Sequence, residues 1–278
     1  MHARRRLLAG AVAFASLVAL ASLADGKTRA DCEREYTPQR GQEGKDVIWV
    51  PTEDPMVIRM LEMAKVTPVD KVYDLGAGDG KIAIAAGKRF GATAIGIEYD
   101  ADLAKYAQCL VEAEGVEGRV RILRGDIFAT DFSDATVVTV YLLPALNLRL
   151  RPTLLDMRPG TRVVSYSFTM GDWEPDDHAD TDHGSAYLWI VPAKVDGPWT
   201  FRSEDEGSFD ATLEQTFQLL SGSVSGNALT GRLSGASVEL EFVEGEQPVR
   251  VTGAVDGDRM SVTVTRGGES ARYTGTRE

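Results

Sequence analysis

Residues 72–81 read V-Y-D-L-G-A-G-D-G-K, and the fold follows from this stretch. Val72 and Tyr73 favour a strand, Asp74 closes it, and Gly76, Gly78 and Gly80 follow at alternate positions. Residues 81–86, K-I-A-I-A-A, then open a helical pattern. Strand, glycine turn and helix make half of a nucleotide-binding unit, because glycines let the backbone approach a ligand that side chains would exclude. Two common variants are disfavoured by the spacing. A dinucleotide fingerprint needs its third glycine where Lys81 stands, and a phosphate-gripping loop needs a hydroxyl where Ile82 stands.

Outward from this turn, strand and helix patterns alternate. Thr52 is a good N-cap, with Pro55 in the first turn of a helix that ends before Pro68. Strands are expected at 71–75, 93–98, 120–123, 136–142, 162–168 and 186–191, with helices at 101–114 and 147–157. Such alternation implies a largely parallel sheet covered on both faces, which binds ligands at the carboxyl ends of its strands. Glu98, after the second strand, is placed to accept hydrogen bonds from a ribose; the lesser reading, taken alone, is a helix-starting charge. Asp126 and Ile127, after the third, suit an exocyclic amine and the face of an adenine, or form an ordinary Gly-Asp turn. Tyr141-Leu142-Leu143-Pro144 follows the fourth strand, where Tyr141 either orients a substrate or packs at the strand end.

An acidic residue followed by G-x-G-x-G resembles motif I of the class I S-adenosylmethionine (SAM) methyltransferases. Residues 47–193 are similar to the small lysine methyltransferase family that includes the ATP synthase c-subunit and adenine nucleotide translocase enzymes. The features in common are Val50-Pro51-Thr52, Asp74 to Gly80, Gly96-Ile97-Glu98, Pro144, Arg162-Val163-Val164-Ser165, Trp173-Glu174-Pro175 and Tyr187-Leu188-Trp189. Lys81, Tyr99-Asp100-Ala101 and Leu142-Leu143-Pro144 depart from the family's usual residues. The resemblance implies that SAM is the cofactor, bound by Thr52, Asp74, Gly76, Gly78, Gly80, Glu98, Asp126 and Ile127. It implies that Tyr141 and Pro144 shape the site of transfer and that the acceptor is an amine, foremost a protein lysine. The competing class is a non-catalytic, methyltransferase-like binding or scaffold protein of the cell envelope.

Arg4-Arg5-Arg6 followed by an apolar run over 7–23 has the pattern of a secretory signal peptide, or of an uncleaved anchor. Either reading places the folded part outside the cytoplasm, in the periplasm or envelope; it stays in the cytoplasm if the segment is not a functional signal. Residues 25–46 read as a flexible leader. Without residues 1–24 the chain has 27 basic and 42 acidic side chains, a net charge of −15 that disfavours nucleic acid and suits a basic protein segment. Of the two cysteines, Cys109 sits at an apolar helix position and is expected in the core rather than in a bridge with Cys32. Residues 172–183 combine His178 and His183 with six acidic residues, types that can ligate a divalent metal, but their spacing fits no closed site and no metal is expected. Leaving the fifth strand, this loop is expected to border the site and present Trp173 to an acceptor.

After Ala193 the pattern changes to short alternating segments separated by Ser-Gly, Gly-Asn, Asp-Gly and Gly-Gly turns, the mark of consecutive β-hairpins. The expected architecture is therefore α/β. A Rossmann-like, seven-stranded class I methyltransferase sheet spans 47–193, and a small antiparallel all-β domain spans 194–278.

Overall fold

The computed structural model describes residues 26–277, so the expected signal or anchor segment lies outside the described residues. The first domain contains α1 (Arg29–Glu35), α2 (Asp54–Met63), β1 (Lys71–Leu75), α3 (Lys81–Phe90), β2 (Thr93–Glu98), α4 (Ala101–Ala113), β3 (Val120–Arg124), β4 (Val137–Val140), α5 (Pro144–Leu155), β5 (Arg162–Tyr166), β6 (Asp177–Thr181) and β7 (Gly184–Ile190). Its seven strands are ordered β3-β2-β1-β4-β5-β7-β6. Pairing is parallel from β3 through β5, and β7 runs antiparallel to both β5 and β6. The central strands β1, β2 and β4 are buried along nearly their whole length, as a sheet covered on both faces requires.

Three expectations for the N-terminal region are corrected. Residues 25–46 are not a flexible leader: Thr28 and Asp31 form a capping box that starts α1, and Cys32 is bonded to Cys109 on α4 across 77 positions. Both cysteines are buried, so Cys109 is a core residue and a bridge at once. Beyond α1 the chain doubles back as a small hairpin, with Gly41 N–H donating to Trp49 O and Trp49 N–H to Gln42 O. Thr52 is not the N-cap of α2; Glu53 holds that position, and the Thr52 carbonyl instead accepts from Lys81 Nζ at 2.9 Å. The first domain therefore begins well before residue 47.

The second domain is a closed antiparallel barrel built by β8 (Gly197–Ser203), β9 (Gly207–Thr216), β10 (Leu219–Val224), β11 (Asn227–Ser234), β12 (Ser237–Glu244), β13 (Gln247–Asp256), β14 (Arg259–Arg266) and β15 (Glu269–Arg277). Each strand pairs with the next, and β15 closes on β8. Alternation puts Val249, Val251 and Val255 of β13 inside and Arg250 and Thr252 outside, so side chains fill the barrel. A turn at Phe217 and Gln218 separates β9 from β10. Phe217 adopts a left-handed backbone conformation and makes a turn that contains no glycine.

The barrel sits at the edge of the sheet where its parallel strands begin. Ala193 N–H donates to Gly235 O, and Gly235 abuts Gly160, just before β5. Trp173 is fully buried and stacks on Phe217 at 6.1 Å, while Gln218 Nε2 donates to Glu174 O at 2.8 Å and Arg232 pairs with Asp176 at 2.6 Å. Trp173 therefore offers nothing to an acceptor. The chain from Gly171 to Asp176 returns to the start of β6, and this return carries the tryptophan to the barrel.

Candidate active site

A cavity opens at the carboxyl ends of β1 to β4, and its walls are drawn from residues 42–146. The barrel contributes none of them. Of the expected residues, Thr52, Asp74, Gly76, Gly78, Glu98, Asp126, Ile127 and Tyr141 line this cavity, and Gly80 and Pro144 do not. Gly80 is the N-cap of α3, where a Cβ would stand 3.1 Å from Ile122 Cδ1; its role is close packing of helix on sheet. Pro144 opens the first turn of α5, leaving Leu142 and Leu146 to face the cavity.

The glycine turn is shaped by its cover. Gly76 and Gly78 have φ of 80° and 57°, which L side chains rarely adopt, and a Cβ on Gly78 would lie 2.5 Å from Trp49 Nε1. Nothing larger than glycine fits between the turn and the indole. Glu98, at the end of β2, ties the turn in place: its carboxylate accepts from Gly78 N–H at 2.8 Å and from Asp100 N–H at 2.9 Å. Burial pushes the Glu98 carboxyl above the usual range, and those backbone donors oppose the shift. Each oxygen keeps acceptor capacity for a diol.

Asp74 is enclosed on β1 and accepts from Thr139 Oγ1 at 2.8 Å. Burial raises its carboxyl to about 7, with the neighbouring charges of Asp79 and Glu98 acting in the same direction. Burial also raises Asp79, against the opposing charge of Lys81. Three carboxyls that resist ionisation around one cavity are suited to a cationic ligand, which relieves all three. Asp126 behaves oppositely. A hydrogen bond from Lys45 Nζ, at 2.6 Å, holds its carboxyl below the usual range, and Phe128 N–H donates to its other oxygen.

Tyr141 follows β4 and lies 4.3 Å, ring centre to ring centre, from Tyr166 and 6.5 Å from Phe168. Tyr166 donates its hydroxyl to the carbonyl of His183, so the β6–β7 turn backs the aromatic group. Thus the turn of the acidic 172–183 segment stands near the site, although its Trp173 does not. Sequence reading missed Lys45, Trp49 and Tyr99 as cavity residues. Lys45 and Trp49 lay in or beside an apparent leader, and Tyr99 was seen only as a departure from the family pattern.

The residues present fit SAM: a glycine turn closed to side chains, a buried carboxylate for the ribose, a further carboxylate beside Ile127 for the adenine, and clustered acids for the cationic end. The comparisons with known proteins agree. The model of the ANTKMT methyltransferase domain matches residues 74–177, and so ends before the barrel begins. A protein-lysine N-methyltransferase from Saccharolobus islandicus is 42% identical over 151 residues, covering 52% of this chain and 94% of that protein. The human lysine N-methyltransferase of the ATP synthase c-subunit is 31% identical over 54% of this chain, which spans 60% of that protein's length. A crystal structure described as an RNA methyltransferase from Salinibacter ruber, in complex with S-adenosyl-L-homocysteine, is 48% identical, with a TM-score of 0.52 over 52% of this chain and 96% of that one. Over residues 74–177, from the glycine turn to the start of β6, this chain belongs to the ANTKMT methyltransferase family, and it is a SAM-dependent methyltransferase.

Proposed function

We propose that the acceptor is a lysine side chain of a protein. The observation that carries this reading is the aromatic group of Tyr141, Tyr166 and Phe168 beside the cofactor cavity. Its rings suit the aliphatic stem and ammonium of a lysine. SAM supplies a methyl group already activated by its sulfonium, so the protein's task is chiefly to hold the nucleophile in line with it. Tyr141 orients the amine, and its proton leaves to water or to a nearby carboxylate once the site is closed.

The lysine methyltransferase relatives support this reading, and so does the net charge of −12 over the whole chain, which favours a basic partner. The description of the Salinibacter ruber structure favours RNA as a second acceptor class. The two are separated by offering SAM with a labelled methyl group to a basic protein fraction and to total RNA, then digesting with protease or ribonuclease. The proposal expects label that protease releases and ribonuclease leaves; label confined to the ribonuclease-sensitive fraction refutes it.

We also propose that the chain works outside the reducing cytoplasm. The N-terminal charge pattern and the buried Cys32–Cys109 bridge support this, since such bridges persist in oxidising compartments. Recovery of the bridged protein from a periplasmic fraction is the expected result. Recovery only from cytosol, with both thiols free, would refute it.

A further inference from the structure

Residues 41–49 form a wall of the cofactor cavity that comes from neither the sheet nor its helices. Within this hairpin Glu43 bridges to Ile48, and Gly44 N–H donates to Val47 O at 2.9 Å. Two side chains reach across the cavity. Lys45 Nζ bonds Asp126 and lies 5.0 Å from the centre of the Tyr99 ring, spanning the ends of β3 and β2. Trp49 lies on the glycine turn at Gly78. The far end of the hairpin is held at Thr52, whose carbonyl accepts from Lys81, itself paired with Asp54 at 2.9 Å.

The near end has a different anchor. Gln42 Nε2 donates to the Tyr36 hydroxyl at 2.8 Å, and Tyr36, the C-cap of α1, packs on Tyr106 of α4 at 5.9 Å. Helix α1 itself is only seven residues long, too short to be stable alone. Surface pairs Lys27–Glu112 and Arg29–Glu114 add little, being exposed. Besides the Tyr36–Tyr106 contact, the covalent link from Cys32 to Cys109 fixes α1 on α4.

We propose that residues 41–49 form a cover over the bound cofactor, with Lys45 and Trp49 as cofactor-positioning residues, and that the Cys32–Cys109 bridge is the tether that keeps this cover in place. A wall that is already ordered before binding need not be ordered by the ligand, so the tether strengthens cofactor binding without touching the cofactor. Lys45 and Phe128 N–H each use one oxygen of Asp126 and leave acceptor capacity on both, so the latch and an adenine amine share this carboxylate.

The inference rests on the cofactor alone and not on the acceptor, so it is tested by calorimetric binding of S-adenosylhomocysteine to the full chain with no acceptor present. The variants are Cys32→Ser/Cys109→Ser, Lys45→Met, and the three changes combined. Removing the bridge should weaken binding about tenfold, and Lys45→Met in the bridged chain about threefold. With the bridge absent, Lys45→Met should cost nothing further, because an untethered cover no longer brings Lys45 to Asp126. Binding within twofold of wild type without the bridge, or fully additive losses, would overturn the proposal. If the unbridged chain fails to unfold cooperatively above the assay temperature, Lys45→Met and Trp49→Ala in the bridged chain decide. Unchanged affinity in both overturns the cover.

Discussion

Binding of SAM should be coupled to proton release from Asp74. This carboxyl is enclosed, has one hydrogen bond from Thr139, and ionises near pH 7 rather than at the ordinary 3.8. SAM carries a sulfonium and an ammonium, and either favours the ionised acid. If the cofactor binds only the ionised form, linkage sets the affinity by the ionised fraction, which rises about eightfold between about pH 5.5 and about pH 6.5. That window lies below the range where an α-amino group titrates, so the cofactor's own charge is nearly constant. The sign for stability is opposite. A carboxyl whose folded value is raised contributes stability that is complete below its unfolded value and lost as pH rises through the folded one. The ligand-free protein therefore loses stability from about pH 4 to about pH 7, by roughly 4 kcal/mol at most. Asp74→Asn keeps a partner for Thr139 and removes the ionisation. Calorimetry in buffers of different ionisation enthalpy should show proton release on binding to wild type that Asp74→Asn reduces by up to one proton, with an affinity that is lower and less dependent on pH. Wild-type affinity that does not change across this window, with no proton released, would refute the reasoning.

Three other perturbations have expected outcomes. Glu98→Gln removes the charge from a carboxylate that lines the cavity and should weaken S-adenosylhomocysteine binding by about 1.5–3 kcal/mol, read by calorimetry, if that carboxylate holds the ribose. Gly78→Ala places a methyl group against Trp49 at a positive φ; denaturant titration should show a loss of about 1–3 kcal/mol, and cofactor binding should fall with it. Trp173→Ala opens the contact with the barrel at the opposite edge of the sheet from the cavity. It should lower stability by about 3–5 kcal/mol and split thermal unfolding into two transitions, while cofactor affinity in the folded protein stays unchanged.

What was legible in the sequence is what local rules determine. The glycine turn, the acid one βα unit later and the strand ends were readable because backbone conformation and period fix them within a few residues. The alternating segments after Ala193 were readable as hairpins for the same reason, except at Phe217. There a left-handed turn residue other than glycine is held by stacking against Trp173, a contact 44 residues away in sequence. Cys32 and Cys109 failed for a related reason: an apolar helix position is compatible with a buried bridge, and only the packing of α1 on α4 decides between them. Lys45 looked like one charge among many in a polar leader. Its position across Asp126 and Tyr99 exists only once the bridge and the Thr52–Lys81 contact have fixed both ends of the hairpin. Likewise the acidic segment was expected to face the acceptor as a whole, and β6 divides it, leaving the His183 turn near the site and Trp173 at the barrel.

The most direct test of the account is localisation of the transferred methyl group. The bridged protein is incubated with SAM and a basic, lysine-bearing peptide, and the product is fragmented in a mass spectrometer, with Glu98→Gln as the control. Methylation at lysine Nζ, reduced in the control in proportion to its weaker cofactor binding, is the predicted result. A chain that binds SAM yet methylates no lysine in such peptides, while transferring methyl groups to RNA, would contradict the claim.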